Sequence, residues 1–311
     1  MNAAHVDNDK VIKKVLPTAD YKAKRIRYPK LLSEIPIFVP TDDRELYTTL
    51  ADKGIRHYVE GGYVERIGPG LNIFDQDTLI ALLHIVPKHK IAGPPHLLPI
   101  PLLPTDMLAD SGLMSGSSTP KEIVVLSGET TAMMINRFLS RGDGGDALAA
   151  TRASVHRLAL TRLVFANDGF GENDLIDGFE GITDFFRYSG KRDYRGNIII
   201  QFSPEIVSLL DHYSHLDLSV RWSLGDVGKA VHMFLSSYQE SSISLNDLKD
   251  AIGYKGPMAD LKRSLLGRKG KSNRTGQLDI MVDCMFINKF WITGSGRNIP
   301  YELHIEKPLP E

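Results

Sequence analysis

The sequence has very little cysteine, since Cys284 is the only one among its 311 residues. One thiol cannot form an internal disulfide bond and cannot supply the paired cysteines of a structural zinc site. The sequence also lacks an apolar run of about 18 residues and the apolar core of a secretory signal. We therefore expect a folded protein of the reducing cytoplasm, without a membrane segment.

An excess of charge of one sign is missing as well, because the formal net charge is −1. The sum conceals two basic clusters. Residues 251–297 carry nine Lys or Arg against three Asp, and residues 1–30 carry eight against three. Because cations that neutralise phosphates supply most of the affinity for duplex DNA, this distribution favours a nucleic-acid partner. A solvated charged face is the alternative explanation for each cluster.

Complete catalytic motifs are also absent. The segment LLGRKGKS partly copies the phosphate-binding loop G-x-x-x-x-G-K-[ST], but Leu265 stands where the first glycine should be. The segment follows a predicted helix rather than a strand, so its amides would not form a phosphate cradle. His84, His89 and His96 lie at spacings that put no two of them on one helix face, and no serine lies in a nucleophile elbow. We therefore expect no enzyme activity, no catalytic residue, no cofactor and no metal site.

Periodicity and turn residues divide the chain into three segments. Residues 1–44 are basic and rich in proline, which predicts an extended amino-terminal arm. Residues 45–202 form a first domain, in which a hairpin, a helix capped by Asp75 and a long loop over residues 87–120 come first. A second helix opened by Ser127, a third starting near Asp146, and three short strands complete it.

The second domain, residues 203–311, repeats this order. A connector helix precedes a helix in SLGDVGKAVHMFLSSYQ, a Ser-capped helix in SISLNDLKDAIGY, and a third helix with Met285 facing inward. WITGSGRNIPYELHIEK then predicts two strands joined by a turn. The order helix, helix, helix, hairpin is that of a winged helix. We therefore predict an α+β protein with two tandem winged-helix domains, short antiparallel sheets and an extended arm.

The segment FSPEIVSLLDHYSHLDLSVRWSLGDVGKAVHMFLSSYQ, followed by SLNDLKDAIGY, resembles the carboxy-terminal module of plasmid replication initiators, closest to TrfA and RepC. The matching elements are residues 198–202, residues 203–210, Arg221 with Leu224, Phe234 with Tyr238, and residues 245–254. The resemblance implies two winged helices bound to repeated origin sequences called iterons, melting of adjacent DNA, and recruitment of host DnaA and the helicase DnaB. It also implies a homodimer as one state of the protein. Residues 256–272 depart from the pattern as extra length before the third helix.

Candidate DNA contacts fall into three groups, because phosphates attract cations and base edges are read by side chains in the major groove. The group favoured for phosphate contact is Lys262, Arg263, Arg268, Lys269, Lys271, Asn273 and Arg274. The first domain contributes Arg152, Ser154, His156 and Arg157, and the wing of the second contributes Arg297 and Asn298.

These features together predict a plasmid replication initiator whose partner is double-stranded DNA carrying direct repeats. A winged-helix transcriptional regulator that binds an operator is the first alternative. An ATP-hydrolysing enzyme that uses residues 267–272 is the second.

Overall fold

The computed structural model describes residues 25–40, 51–59, 62–86, 88–91, 123–167, 182–189, 197–202, 206–207, 209–268, 274–295 and 299–308. Helices alternate with small, mainly antiparallel sheets in these ranges, so the predicted α+β class is confirmed.

Residues 25–40 form a short segment that precedes the first module. Its elements are β1 (Arg25–Pro29), α1 (Lys30–Glu34) and β2 (Phe38–Val39).

In the part of the first module that the structure describes, three helices lie beside two main sheets. Its elements are β3 (Ala51–Val59), β4 (Gly62–Gly68), β5 (Leu71–Asn72), α2 (Ile73–Ile85), β6 (Lys88–Ile91), β7 (Ile123–Thr131), α3 (Ala132–Phe138), α4 (Gly145–Leu160), β8 (Arg162–Asn167), β9 (Thr183–Ser189) and β10 (Asn197–Phe202). One sheet has the strand order β6-β7-β10-β9, and the other has the order β3-β4-β8. The hairpin predicted around Gly61 and Gly62 is confirmed as β3 and β4.

The second module follows a connector, formed by β11 (Tyr213–Asp217) and α5 (Leu218–Ser223). Its elements are α6 (Asp226–Ser237), β12 (Ser242–Ser244), α7 (Leu245–Ala251), α8 (Met258–Leu266), β13 (Gly267–Arg268), β14 (Arg274–Thr275), α9 (Gln277–Asp283), β15 (Lys289–Thr293) and β16 (Glu302–Glu306). The main sheet has the order β12-β16-β15.

The two modules share one order of elements. In each, a long helix is followed by a strand that leads directly into a short helix, and later by another helix and two antiparallel strands. The last strand of each module lies between two earlier strands, with the order β7-β10-β9 within the four-stranded sheet and β12-β16-β15 in the three-stranded sheet. The short helices also start alike, because the Thr131 hydroxyl accepts the N–H of Met134 and the Ser244 hydroxyl accepts that of Asp247.

The amino-terminal segment differs from the predicted arm. Residues 25–40 are packed into the protein, with β1 antiparallel to β11 and β2 parallel to β5. Tyr28 and Leu32 are buried, and α1 packs against α6. The prediction of an extended arm over residues 1–44 is therefore wrong for residues 25–40, because their apolar side chains are more stable in the core than in water. Residues 1–24 lie outside the described ranges.

Three local predictions in the first module also need correction. Helix α2 starts after Asn72, whose side chain accepts the N–H of Asp75, so Asp75 is the third residue of the helix rather than its cap. Ser127 lies within β7 opposite Gln201, because the β-branched run before it favours a strand. The predicted loop over residues 87–120 contains β6 at residues 88–91.

A buried ion cluster joins the modules. Asp77 of α2 lies 2.6 Å from Arg221 of α5 and 2.7 Å from Lys229 of α6, measured between carboxylate oxygen and side-chain nitrogen. Arg141 is 3.5 Å away, and the Arg221 guanidinium also donates to Gln76. Burial alone would raise the pKa of Asp77, but the three cations lower it below its ordinary value. Asp77 is therefore ionised and fixes the first module to the second.

We expect Asp77→Asn to lower the free energy of unfolding by about 3–5 kcal/mol, because it leaves buried cations without their counter-charge. Urea unfolding of the purified chain measures this loss. The control is Asp260→Asn, which breaks the exposed pair with Arg263 and should cost no more than about 1 kcal/mol. Equal effects of the two substitutions would contradict the structural role of Asp77.

His232 of α6 is a second buried ionisable group near this cluster. Its ring packs edge-on against Phe286 with centroids 4.4 Å apart, and neither ring nitrogen has a hydrogen-bond partner among the described residues. Burial, with a smaller contribution from Arg221, lowers the pKa of His232 to about 3. The folded protein therefore holds His232 neutral.

This burial predicts a loss of stability in mild acid. The unfolded chain takes up the His232 proton below its ordinary pKa of 6.5, whereas the folded chain resists protonation down to about 3. Unfolding free energy should therefore fall as the pH decreases through that range. In His232→Phe the slope should be shallower, and an unchanged slope would refute a neutral buried ring.

Candidate nucleic-acid interface

Residues 267–268 and 274–275 pair as two short antiparallel strands, called the basic hairpin below. Helix α8 ends at Gly267, which has a φ of 74°, and β13 then pairs with β14. Arg268 and Arg274 are opposite each other in this pairing. The described residues here follow the order α8, β13, β14, which differs from the strand–loop–helix order of a phosphate-binding loop. Residues 269–273, which include most of the glycine resemblance, lie outside the described ranges.

The predicted cations near the basic hairpin differ in their surroundings. Arg268 is exposed, whereas Arg263 donates to Asp260 at 2.8 Å. The Lys262 ammonium lies 3.7 Å from the centre of the Tyr301 ring, which holds α8 against the end of the β15–β16 hairpin. Other predicted residues lie outside the described side chains; they are Lys269, Lys271, Asn273, Arg274, Arg297 and Asn298.

Gly276 allows the basic hairpin to fold close to α8. A Cβ atom at this position would collide with the backbone carbonyl of Leu265 and with the backbone of Leu266 and Gly267. The Gly276 N–H donates to Asp279, which starts α9 at this point. The glycine therefore sets the position of the basic hairpin relative to α8 and α9.

Helix α4 has one exposed side of small residues, as the sequence predicts. Ala149, Ala150 and Ala153 are exposed, His156 is exposed, and Arg152 is half-buried. A helix with such a side can approach a DNA groove closely, since alanines leave the backbone near the surface.

Two predicted contacts on α4 have different roles. Ser154 is fully buried, so the proposed base contact by its hydroxyl is wrong for the chain as it stands. Arg157 donates through Nε and Nη2 to the buried carboxylate of Asp75, with the shorter distance 2.6 Å. Helical periodicity misplaced Ser154, because α2 covers that side of α4, and it did not show that Arg157 pairs with Asp75.

The exposed face of the β12-β16-β15 sheet in the second module carries an aromatic pair that the sequence interpretation missed. The Trp291 side chain is 45% exposed and stacks on His304, with centroids 5.1 Å apart and planes 10° apart. His304 Nε2 also lies 2.9 Å from the Thr293 hydroxyl. The alternation of exposed and half-buried residues along β15 would have placed Trp291 on the outer face.

The two modules meet at a cavity of about 310 Å³, lined in part by Arg141 and Arg157 from the first module and by Lys229 from the second. Gln277, the first residue of α9, accepts the N–H of Gly225 at 2.7 Å, just before α6 begins. Helix α4 and the start of α9 therefore both adjoin the amino-terminal turn of α6. The sequence interpretation missed this cavity, although Asp75, Gln76 and Asp77 inside an apolar helix were a signal of buried polar contacts.

Comparisons with solved structures give two neighbours of the whole arrangement. A crystal structure of a selenomethionine derivative of domains 2 and 3 of RctB has a TM-score of 0.52 and 12% identity, covering 92% of this chain and 100% of that chain. A second RctB domain 2-3 structure has a TM-score of 0.51 and 12% identity, covering 89% and 96%. At this identity the likeness is one of fold, and it does not place the chain with TrfA and RepC.

The chain matches no protein-family model, and no curated protein sequence is significantly similar to it. Within the described ranges, no group of three or more His, Cys, Asp or Glu is arranged to hold a metal ion. The helices of the same ranges include none with the length and apolarity needed to span a bilayer.

We expect Gly276→Ala to destabilise the second module by about 1–3 kcal/mol, because the added methyl group overpacks the contact with α8. Denaturant unfolding measures the change. Gly142→Ala is the matched control, since a Cβ there meets no atom within 4 Å. If both variants unfold like the parent chain, the close packing at Gly276 is wrong.

Proposed function

We propose that this protein is a DNA-binding replication initiator whose two modules act as tandem winged helices. The main support is the repeated order of helices and strands, with the last strand of each module, β10 or β16, between two earlier strands of its sheet. RctB, whose domains 2 and 3 share this fold, is a replication initiator. The cytoplasmic location and the absence of a catalytic centre belong to the same proposal.

In this proposal each module places one helix in a groove of the DNA, and cationic side chains contact the DNA backbone. In the first module, α4 enters the major groove with its alanine side, and Arg152 and His156 reach outward from that helix. In the second module, α9 occupies the corresponding position between the short helix and the final hairpin. Arg268 and the basic residues around it neutralise phosphates beside α9.

The ion cluster at Asp77 makes the spacing of these contacts a property of the fold. The buried Asp77 side chain contacts both Arg221 and Lys229. The two modules therefore move as one rigid unit rather than independently. A fixed spacing suits two half-sites on one duplex, and hence direct repeats such as iterons. Opening of adjacent DNA, recruitment of DnaA and DnaB, and a homodimeric state complete the proposal by resemblance to plasmid initiators.

A ligand-responsive transcriptional regulator is the second candidate, because the cavity between the modules has the size of a small-molecule site. A small molecule that weakens binding to an operator would favour it.

The experiment that tests the initiator proposal is selection of binding sites from random duplex DNA with the full chain. We expect selected sequences to contain two half-sites about 10 base pairs apart, one for each module. A single short palindrome without a repeated half-site would count against the initiator and for the regulator.

A matched pair of variants then tests the basic hairpin on the selected site. We expect Arg268→Ala to weaken binding to all sequences alike and to reduce the slope of log affinity against log salt by about 1. Lys30→Ala is the control, because Lys30 pairs with Glu34 on α1, outside both modules. A salt slope that is unchanged in Arg268→Ala would exclude a phosphate contact by this residue.

A further inference from the structure

The cavity between the modules is lined by more cationic than acidic side chains. Arg141 and Arg157 line it from the first module and Lys229 from the second, with Asp77 at its base and Asp226 at the start of α6. The side chains of Arg141, Arg157 and Lys229 are 17%, 19% and 18% exposed. Three cations therefore line one open cavity while remaining partly exposed to solvent.

Cations outnumber carboxylates around this space. The cations are Arg141, Arg157, Arg221 and Lys229, and the carboxylates are Asp75, Asp77 and Asp226. Asp75 and Asp77 are buried, and each is already paired with one or more of these cations. Asp226 is the one carboxylate among the described lining residues that is exposed. The site therefore has a local excess of positive charge at low solvent exposure, where charge interactions are strong.

The geometry also leaves donors for a further acceptor. Lys229 has three N–H donors, and Asp77 accepts from this ammonium at 2.7 Å. Arg141 has five donors; it bonds to Thr78 at 3.3 Å and to the Phe74 carbonyl at 3.2 Å, and it pairs with Asp77 at 3.5 Å. The central carbon of its guanidinium lies 3.5 Å from the centre of the Phe74 ring. A fixed guanidinium beside an ammonium suits a phosphate group, which accepts several charge-assisted hydrogen bonds.

We propose that this cavity binds a phosphate group through Arg141, Arg157 and Lys229, and that in the DNA complex this phosphate belongs to the DNA backbone. The source of the phosphate rests on the proposed function, whereas the phosphate site itself does not. Exposed Ala150 and Ala153 of α4 border the same cavity, so a backbone following α4 passes its opening. One phosphate would then be held by both modules at once.

The first test uses inorganic phosphate and no DNA. We expect the melting temperature of the full chain to rise with phosphate at constant ionic strength, and this rise to be smaller in Lys229→Met and Arg141→Met. Asp77 keeps two cations in each variant, so both should fold. Asp226→Asn should enlarge the rise, because it removes the opposing charge.

Lys249→Met in α7 is the matched control. Phosphate also stabilises proteins by being excluded from their surfaces, so the informative quantity is the difference between Lys229→Met and Lys249→Met. Equal phosphate-dependent shifts in these two variants would overturn the site.

The second test measures the salt dependence of binding to the selected duplex. We expect Lys229→Met to lower the slope by about 1, and Lys249→Met to leave it unchanged. A normal slope in a variant that has lost the phosphate effect would overturn the assignment to DNA and leave a site for a free phosphate ligand. A parent chain that binds no duplex would refute the proposed function, while the phosphate test stands separately.

Discussion

The ionised carboxylate of Asp77 is the contact on which the arrangement of the two modules depends. It lies in the second turn of α2, in a helix whose neighbouring residues are buried, and it faces cations from α5 and α6. A buried carboxylate is costly unless several partners compensate for the lost water. Arg141 and the hydrogen bond between Arg221 and Gln76 supply the remaining compensation. The polar start of α2 therefore fixes how the second module sits against the first.

This coupling links the fold to the proposed DNA contacts. Arg157 ties α4 to Asp75 at the start of the same helix, so α4 and α6 are both positioned by α2. The packed amino-terminal segment adds to the junction, because β1 pairs with β11 and α1 packs against α6. Two modules joined in this way present their helices and hairpins at a set distance. A set distance is what recognition of repeated DNA half-sites requires.

The second module could largely be predicted from its sequence because its signals are local. Ser244 caps α7 as expected, the apolar stripe of α6 is buried, and the final two strands form the predicted hairpin. Met285 is the exception. It is 80% exposed with a φ of 58°, because α9 ends at Asp283 and the chain turns toward β15.

The first module and the site depended on contacts that are distant in sequence. Ser127 starts no helix because its strand pairs with β10, about 70 residues later, and this pairing adds to the strand propensity of the residues before it. Tyr28 lies in the core because its strand, β1, pairs with β11, which forms far along the chain. The same holds for Arg157, whose partner Asp75 is 82 residues away. Residue type indicated a cation, and only the fold showed that this cation also pairs with a buried carboxylate.

The most direct test of two coupled modules on one duplex is a hydroxyl-radical footprint of the full chain on its selected site. Two protected segments on one face of the DNA, about one helical turn apart, are the predicted result. Protection of a single segment, or of two segments on opposite faces, would contradict the joint binding of both modules.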